Sequence, residues 1–443
     1  MPSPSAAMTA NAWVRSARLA SLPVYAGAAS VEGLARRALG QDPDAVRRDL
    51  RRRTTQRTRR TLGELKGGAL KAGQLLSTVE MLFPPDPEGM WRSTLQGLQE
   101  DNPSVPFAQL RPVLEEALGR DWTRLLPELD EEEAAAASIG QVHRGTWHDG
   151  RDVAVKIQYP GIREALAADL RAVSWATRGV ALVARGLSLP PLVAELRTRL
   201  VEELDYVHEG RVQQAFARSY LDDPEAVVPQ VVHAAPRILV TEWLEGTPLV
   251  RLGDDGSPES APLRDLAGER YQRFLLSGPE RVGLLHTDPH PGNFRVLPDG
   301  RLGVFDFGSS LTLPEGMPSA FGRLMRVMLG DDPAAVLAGL RAEGFVRPER
   351  QVDAAKLVDY LSPFSEPARH AVFTYSREWL ASEFARVNDP RNPEFGVALQ
   401  LDIPADLLFT HRVWLGVVGV LSQLGATVPV RSELNRWLPG FAA

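Results

Sequence analysis

LLHTDPHPGNFRVLPDGRLGVFDFGSS, residues 284–310, decides the fold. Asp288 and Asn293 stand five apart in a loop constrained by Pro289, Pro291 and Gly292, and Pro298-Asp299-Gly300 predicts a tight turn between two short strands. The returning strand brings Asp306 back beside the loop. Two carboxylates and an amide so placed suit Mg²⁺, a hard cation that takes oxygen ligands and lets phosphate oxygens complete its octahedron. A carboxylate left free of metal can orient or deprotonate a nucleophile. The plainer alternative makes Asp288 and Asn293 turn residues and Asp306 a cap.

The residues upstream weigh against that alternative. DVAVKIQY, residues 152–159, reads as an apolar strand, and His148-Asp149-Gly150 predicts the turn joining it to a preceding strand in AAAASIGQVHRG, residues 134–145. Lys156 sits on the second strand. Of 50 basic residues only Lys66, Lys71, Lys156 and Lys356 are lysine, so a compact ammonium on a flexible stem is rare here. That chemistry suits contact with a phosphate as a point charge. Further on, Glu203 and Asp205 in EELDYVHEG are two apart, do not share a helix face, and can serve different partners.

Three motifs in order, Val153 to Lys156, then His286-x-Asp288-x-x-x-x-Asn293, then Asp306-Phe307-Gly308, follow the protein-kinase pattern. More narrowly, the chain resembles the UbiB/AarF family of atypical kinases, which includes the mitochondrial coenzyme Q kinases. Four features carry the resemblance: Lys71-Ala72-Gly73-Gln74, matching the family's KxGQ motif; Ala134 to Gln141, matching its alanine-rich loop; Glu203-Leu204-Asp205, matching ExD; and HTDPHPGNF, residues 286–294. They lie between residues 66 and 310, and the C-terminal part is looser.

The resemblance implies an α+β, two-lobed kinase-like fold with an N-terminal helical extension. It divides the chain into an extension over 1–125, an N-lobe with inserted helices over 126–246 and a helical C-lobe over 247–443. It also implies roles. Lys156 holds nucleotide phosphates, and Ala135, Ala136, Ala137, Ser138 and Gln141 cover them, with methyl groups limiting the backbone approach that glycines would permit. Asn293 and Asp306 ligate Mg²⁺, Asp288 acts as base or orients the acceptor, and the backbone around Glu242 meets adenine. Glu203 and Asp205 face the KxGQ element, with Lys71 and Gln74 over the active site. The acid that pairs with Lys156 stays open among Glu195, Glu202 and Glu203, because Arg199 stands where some relatives have an acid. His286 supports the loop, and His290 is unassigned.

The activity so implied is a Mg²⁺-dependent ATP-binding kinase or ATPase linked to isoprenoid-quinone or other lipid metabolism, with a lipid or isoprenoid ligand and peripheral contact at the inner face of a membrane. The alternatives are a nucleotide-binding pseudokinase that acts as a regulatory or lipid-chaperoning module, and a small-molecule kinase. The latter does not account for Lys71 to Gln74 or for the alanine run.

Composition bounds these readings. With 443 residues, 44% hydrophobic and 24% charged, the chain is globular and long enough for two or three domains. It has no cysteine, which excludes disulfides, thiolate zinc sites and cysteine nucleophiles. Eight histidines without paired ligand spacing make no case for zinc. The net charge of −6 divides into +9 over residues 1–71 and −15 over the rest, so the extension is basic and the body acidic. The extension suits the acidic body or anionic lipid, and no nucleic-acid partner is expected. Leu407 to Leu424 is the most apolar run, but His411 and Arg412 make it a buried helix rather than a span. The N-terminus lacks an apolar core and cleavage site, and a cytoplasmic protein is expected.

Overall fold

The computed structural model describes residues 105–137, 139–164, 204–330, 332–389 and 407–442, with isolated positions outside those runs. Lys71, Gln74, Ser138 and Glu203 lie outside the described residues, as does nearly all of 28–100, where the sequence pattern predicts helices. The chain divides into two compact units: residues 1–207 with 233–241, and residues 208–232 with 242–443.

The first unit opens with α1, Phe107–Leu118, followed by strands β1, Glu128–Leu129; β2, Ala135–Ala136; β3, Gly140–Thr146; and β4, Asp152–Gln158. The sequence pattern predicts a helix over Arg111 to Leu118 with Pro112 tolerable in its first turn, but the helix begins four residues earlier, after Pro106. Pro112 and Ala108, whose carbonyl loses its partner, are both exposed, so water takes the place of the missing N–H. Gly119 ends the helix at φ 88°.

β3 and β4 form the expected hairpin, antiparallel from Gly140 opposite Gln158 to Thr146 opposite Asp152. Gly150 supplies the positive φ of 89° that the turn requires. Alternation does the rest: Val153, Val155 and Ile157 are fully buried on one face, each contributing about 2 kcal/mol, and Ala154 and Lys156 point the other way.

Next come α2, Tyr206–Ser219; β5, Ala226–Val227; β6, Val231–Ala235; and β7, Ile238–Glu242. VVPQVVH, residues 227–233, predicts one short strand, but it splits into β5 and β6 around Pro229, which has no N–H to give a ladder. The two pieces join different sheets. β6 ends the larger one, ordered β1-β3-β4-β7-β6 with β2 on β3, and β5 lies parallel to a later strand.

The second unit continues with β8, Thr247–Pro248; α3, Leu249–Asp254; α4, Ala261–Val282; β9, Leu284–His286; β10, Phe294–Val296; β11, Leu302–Val304; and β12, Ser310–Thr312. Beyond them lie α5, Ser319–Met328; α6, Pro333–Ala342; α7, Ala354–Arg369; β13, Phe373–Thr374; α8, Arg377–Asn388; α9, Leu408–Leu424; β14, Thr427–Val428; and α10, Val430–Trp437. α4 is the spine of this unit. Tyr271, Phe274 and Leu275 are buried along it, and Gly283 closes it in the left-handed conformation at φ 74°. Gly278 brings it close to β9, for a Cβ there would meet the Leu284 carbonyl at 2.7 Å. α9 is the buried helix expected near Leu407. Among the described residues no helix is long and apolar enough to cross a membrane.

Candidate functional site

In the first unit the chemistry collects on one face of β3 and β4. Lys156 lies opposite Val142, and its Nζ stands 5.1 Å from the centre of the Tyr206 ring, within reach of a cation–π attraction. Tyr206 is fully buried at the start of α2. Asp205 accepts the Val207 N–H at 3.0 Å and so caps α2. The preceding carbonyl, Leu204, takes 2.9 Å from the Gln158 amide of β4. The ExD segment is thereby tied to the strand that carries Lys156.

The alanine run is a hairpin arm, not a helix. Ala135 pairs with Val142 and Ala136 with Gln141, and Ala137 N–H donates to the Gly140 carbonyl at 2.9 Å. Ala135 and Ala136 are exposed. Gly140 can only be glycine, because a Cβ there would meet the Ile157 carbonyl carbon at 2.9 Å and the Tyr206 hydroxyl at 3.0 Å. Gln141 turns its amide inward. Its Oε1 accepts Val105 N–H at 3.0 Å, and its Nε2 lies 3.3 Å from Val105 O and 3.0 Å from His143 Nε2. His143 Nδ1 donates to the Asp130 carbonyl at 2.8 Å, so Nε2 must accept, and burial lowers the pKa of this ring and keeps it neutral.

In the second unit the HTDPHPGNF string, residues 286–294, folds as its spacing demands. A 3-10 turn, Pro291–Asn293, leads into β10, and β10 and β11 form the hairpin whose turn has Gly300 at φ 85°. Asn293 Nδ2 donates to Asp288 Oδ2 at 2.9 Å. The returning chain is pinned to the loop: Phe305 N–H donates to Asn293 O at 2.8 Å, and His286 Nε2 donates to Asp306 O at 2.9 Å. Asp306 has φ 58°, and among the described residues no other non-glycine has a positive φ. Its carboxylate holds the turn by accepting Gly308 N–H at 3.2 Å. A strained aspartate held on both sides is the kind of outlier that accompanies function.

His286 is fully buried, and burial lowers its pKa. Its ring meets Phe307 at 5.2 Å edge to face and Phe294 at 5.8 Å. It therefore braces Asp306 as a neutral ring, as expected. Tyr271 of α4 donates to Pro289 O at 2.5 Å, and burial, with Asp288 nearby, drives its pKa well above the ordinary tyrosine value. Glu242 Oε2 accepts Gln230 N–H at 3.1 Å.

Two residues escaped the sequence reading. Glu209, on α2 and 2% exposed, has a carboxylate oxygen 3.5 Å from where a Cβ on Gly308 would stand. A glutamate is almost never so buried unless it is paired. The signal available was its place one turn into the helix that Asp205 caps. Tyr271 had no signal, since it lies in a long helical pattern with no motif.

The donor set suits Mg²⁺. Among the described residues no trio of His, Cys, Asp or Glu converges, but two carboxylates and an amide leave positions for phosphate oxygens, which is how Mg²⁺ is usually held.

These features define a protein-kinase-like fold with an alanine-rich hairpin arm before the strand that carries Lys156. The ABC1 atypical kinase-like domain model matches residues 97–338, and the chain belongs to that family. It is 28% identical to the yeast atypical kinase COQ8 over 90% of this chain and 79% of that one. It is 33% identical to the chloroplastic protein ACTIVITY OF BC1 COMPLEX KINASE 1 of Arabidopsis thaliana, over 58% of this chain and 38% of that one. Among solved structures, the Mycobacterium tuberculosis Rv3197–erythromycin complex matches at a TM-score of 0.69 and 36% identity, covering 91% of this chain and all of that one.

Proposed function

We propose that the chain is a Mg²⁺-dependent, ATP-binding atypical kinase or ATPase. The observation that carries this reading is the Asp288–Asn293 pair at 2.9 Å with Asp306 held in the left-handed conformation beside it. Asn293 and Asp306 would hold Mg²⁺, which neutralises phosphate charge when bound. Asp288, oriented by Asn293, aligns or deprotonates the attacking hydroxyl or water. Lys156, steadied by the Tyr206 ring, takes the phosphates, and Val142 and Ala154 share its strand face as an apolar bed for adenine. Within its own unit the buried Glu209 lies beside Gly308, and the acid that pairs with Lys156 stays open among Glu195, Glu202 and Glu203. Ala135, Ala136, Ala137 and Ser138 lie over the phosphates, whereas Gln141 acts as a tie to Val105. Lys71, Gln74 and Glu203 keep the roles the family resemblance implies. The same resemblance supports a link to isoprenoid-quinone or other lipid metabolism, with peripheral membrane contact through the basic extension.

Phosphate release from Mg-ATP by the purified chain, with and without anionic vesicles, tests this, using Asp306→Asn as the blank. Turnover at least about 10²-fold above the blank is expected, the scale on which a general base or a preorganised charge contributes. Rates equal to the blank would replace the enzyme with a nucleotide-binding module. For that second reading, the mycobacterial relative solved in complex with erythromycin supports small-molecule binding by a chain of this fold.

A further inference from the structure

α9 lies beyond the residues that the family model matches, and the reading above gives it no task. Yet it carries Gly416 near its middle, where glycine is a poor helix former. A Cβ at Gly416 would stand 2.8 Å from Pro289 Cβ and closer still to Pro289 Cγ, well inside any carbon–carbon contact. Pro289 directly follows Asp288. The carbonyl of the same residue is held by α4, where the fully buried Tyr271 hydroxyl donates to Pro289 O at 2.5 Å. Three residues further along α9, Gly419 has nothing within 4 Å of a Cβ. The same helix therefore offers a glycine that touches the loop and one that does not.

We propose that α9 is a positioning element for the catalytic loop. Gly416 and Tyr271 are two jaws that close on Pro289 and fix the backbone from which Asp288 projects. The inference rests on the reading of Asp288 as the reacting carboxylate, but the mechanical claim stands apart from turnover. Packed interiors transmit such displacements because they have no slack to absorb them. A misplacement of about 1 Å at the reacting group is enough to cost about 10²-fold in rate.

The test compares Gly416→Ala with Gly419→Ala in the full chain, reading hydrogen exchange of the peptide spanning 286–296 by mass spectrometry alongside Mg-ATP hydrolysis. Both substitutions improve helix propensity equally, so a general effect on α9 would treat them alike. The expected result is faster exchange in 286–296 and a kcat at least about tenfold lower for Gly416→Ala, with KM for ATP within about twofold of wild type. Gly419→Ala should move neither quantity. Pro289→Ala removes the closest of the clashing atoms, so adding Gly416→Ala in that background should cost less than it does alone. Equal exchange in the two glycine variants, or an undiminished penalty in the Pro289→Ala background, would overturn the proposal. If wild type itself shows no turnover, the exchange arm still decides on the jaws, and the failure belongs to the catalytic reading.

Discussion

The strand face around Lys156 and the loop around Asp288 are built differently. Lys156 stands on a strand whose opposite face, Val153, Val155 and Ile157, is buried, and backbone pairs with β3 run the length of β4. Its location is set by the ladder, and the side chain itself is a passenger. The Asp288 loop has few backbone bonds of its own. It is held by individual side chains: His286 on Asp306 O, Asn293 on Asp288, Tyr271 on Pro289 O and the bare face of Gly416. A site held by a ladder loses function without losing structure, whereas a site held by single side chains loses both together.

The largest effect that can break this contrast is expected from His286→Ala. It empties a buried ring position between Phe307 and Phe294 and removes the donor to Asp306, so stability should fall by about 3 kcal/mol and phosphate release should be lost with it. Thermal melting and hydrolysis measured on one preparation check this. A variant that loses turnover while melting like wild type would show that the loop does not depend on its side-chain braces.

Acid comes next. His411 of α9 is half-buried, and desolvation depresses its pKa to about 4. Between about 4 and the ordinary value of 6.5 the unfolded chain binds the proton that the folded chain refuses. Stability is therefore complete above pH 6.5 and is lost as pH falls through that window, by on the order of 3 kcal/mol. His143 in the strand unit is lowered in the same direction. Melting followed from pH 7.5 to 4.5 should show a steep acid limb, flattened in His411→Leu. An unchanged limb in that variant would assign acid sensitivity to the strand unit instead.

The smallest structural effect should come from Lys156→Ala. Losing one charge-assisted phosphate contact should weaken Mg-ATP binding by about 10- to 100-fold, and the melting midpoint should stay close to that of wild type. Calorimetric titration with a non-hydrolysable nucleotide, paired with a melt, reads both. A large drop in melting temperature would mean that the Tyr206–Lys156 contact supports the strand unit itself, which would erase the difference between the two regions.

Much of this was legible before any coordinates, for identifiable reasons. Short-range chemistry reads well: a Pro-Asp-Gly turn closes a hairpin, alternation puts Lys156 opposite a valine face, and five residues between Asp288 and Asn293 allow one loop to bring their side chains together. Other features depend on partners far away in sequence. α1 starts at Phe107 because Phe107 and Leu110 bury in the first unit, and the proline at 112 is tolerated because its side of the helix faces water. VVPQVVH divides because its halves find two different sheets. Gln141, which the motif assigned to nucleotide, spends its amide on Val105 and His143, partners that no local pattern specifies.

The sequence by itself determined which groups the site contains and the order in which they occur, because loop spacing, strand alternation and turn chemistry are local properties of the backbone. Only the tertiary structure decided what holds them. It buried Glu209 beside Gly308, made a neutral brace of His286, and set Tyr271 against the carbonyl and Gly416 against the ring of Pro289. Those choices follow from close packing between separate elements, up to α9 and the Asp288 loop more than a hundred residues apart, and no local pattern encodes such contacts.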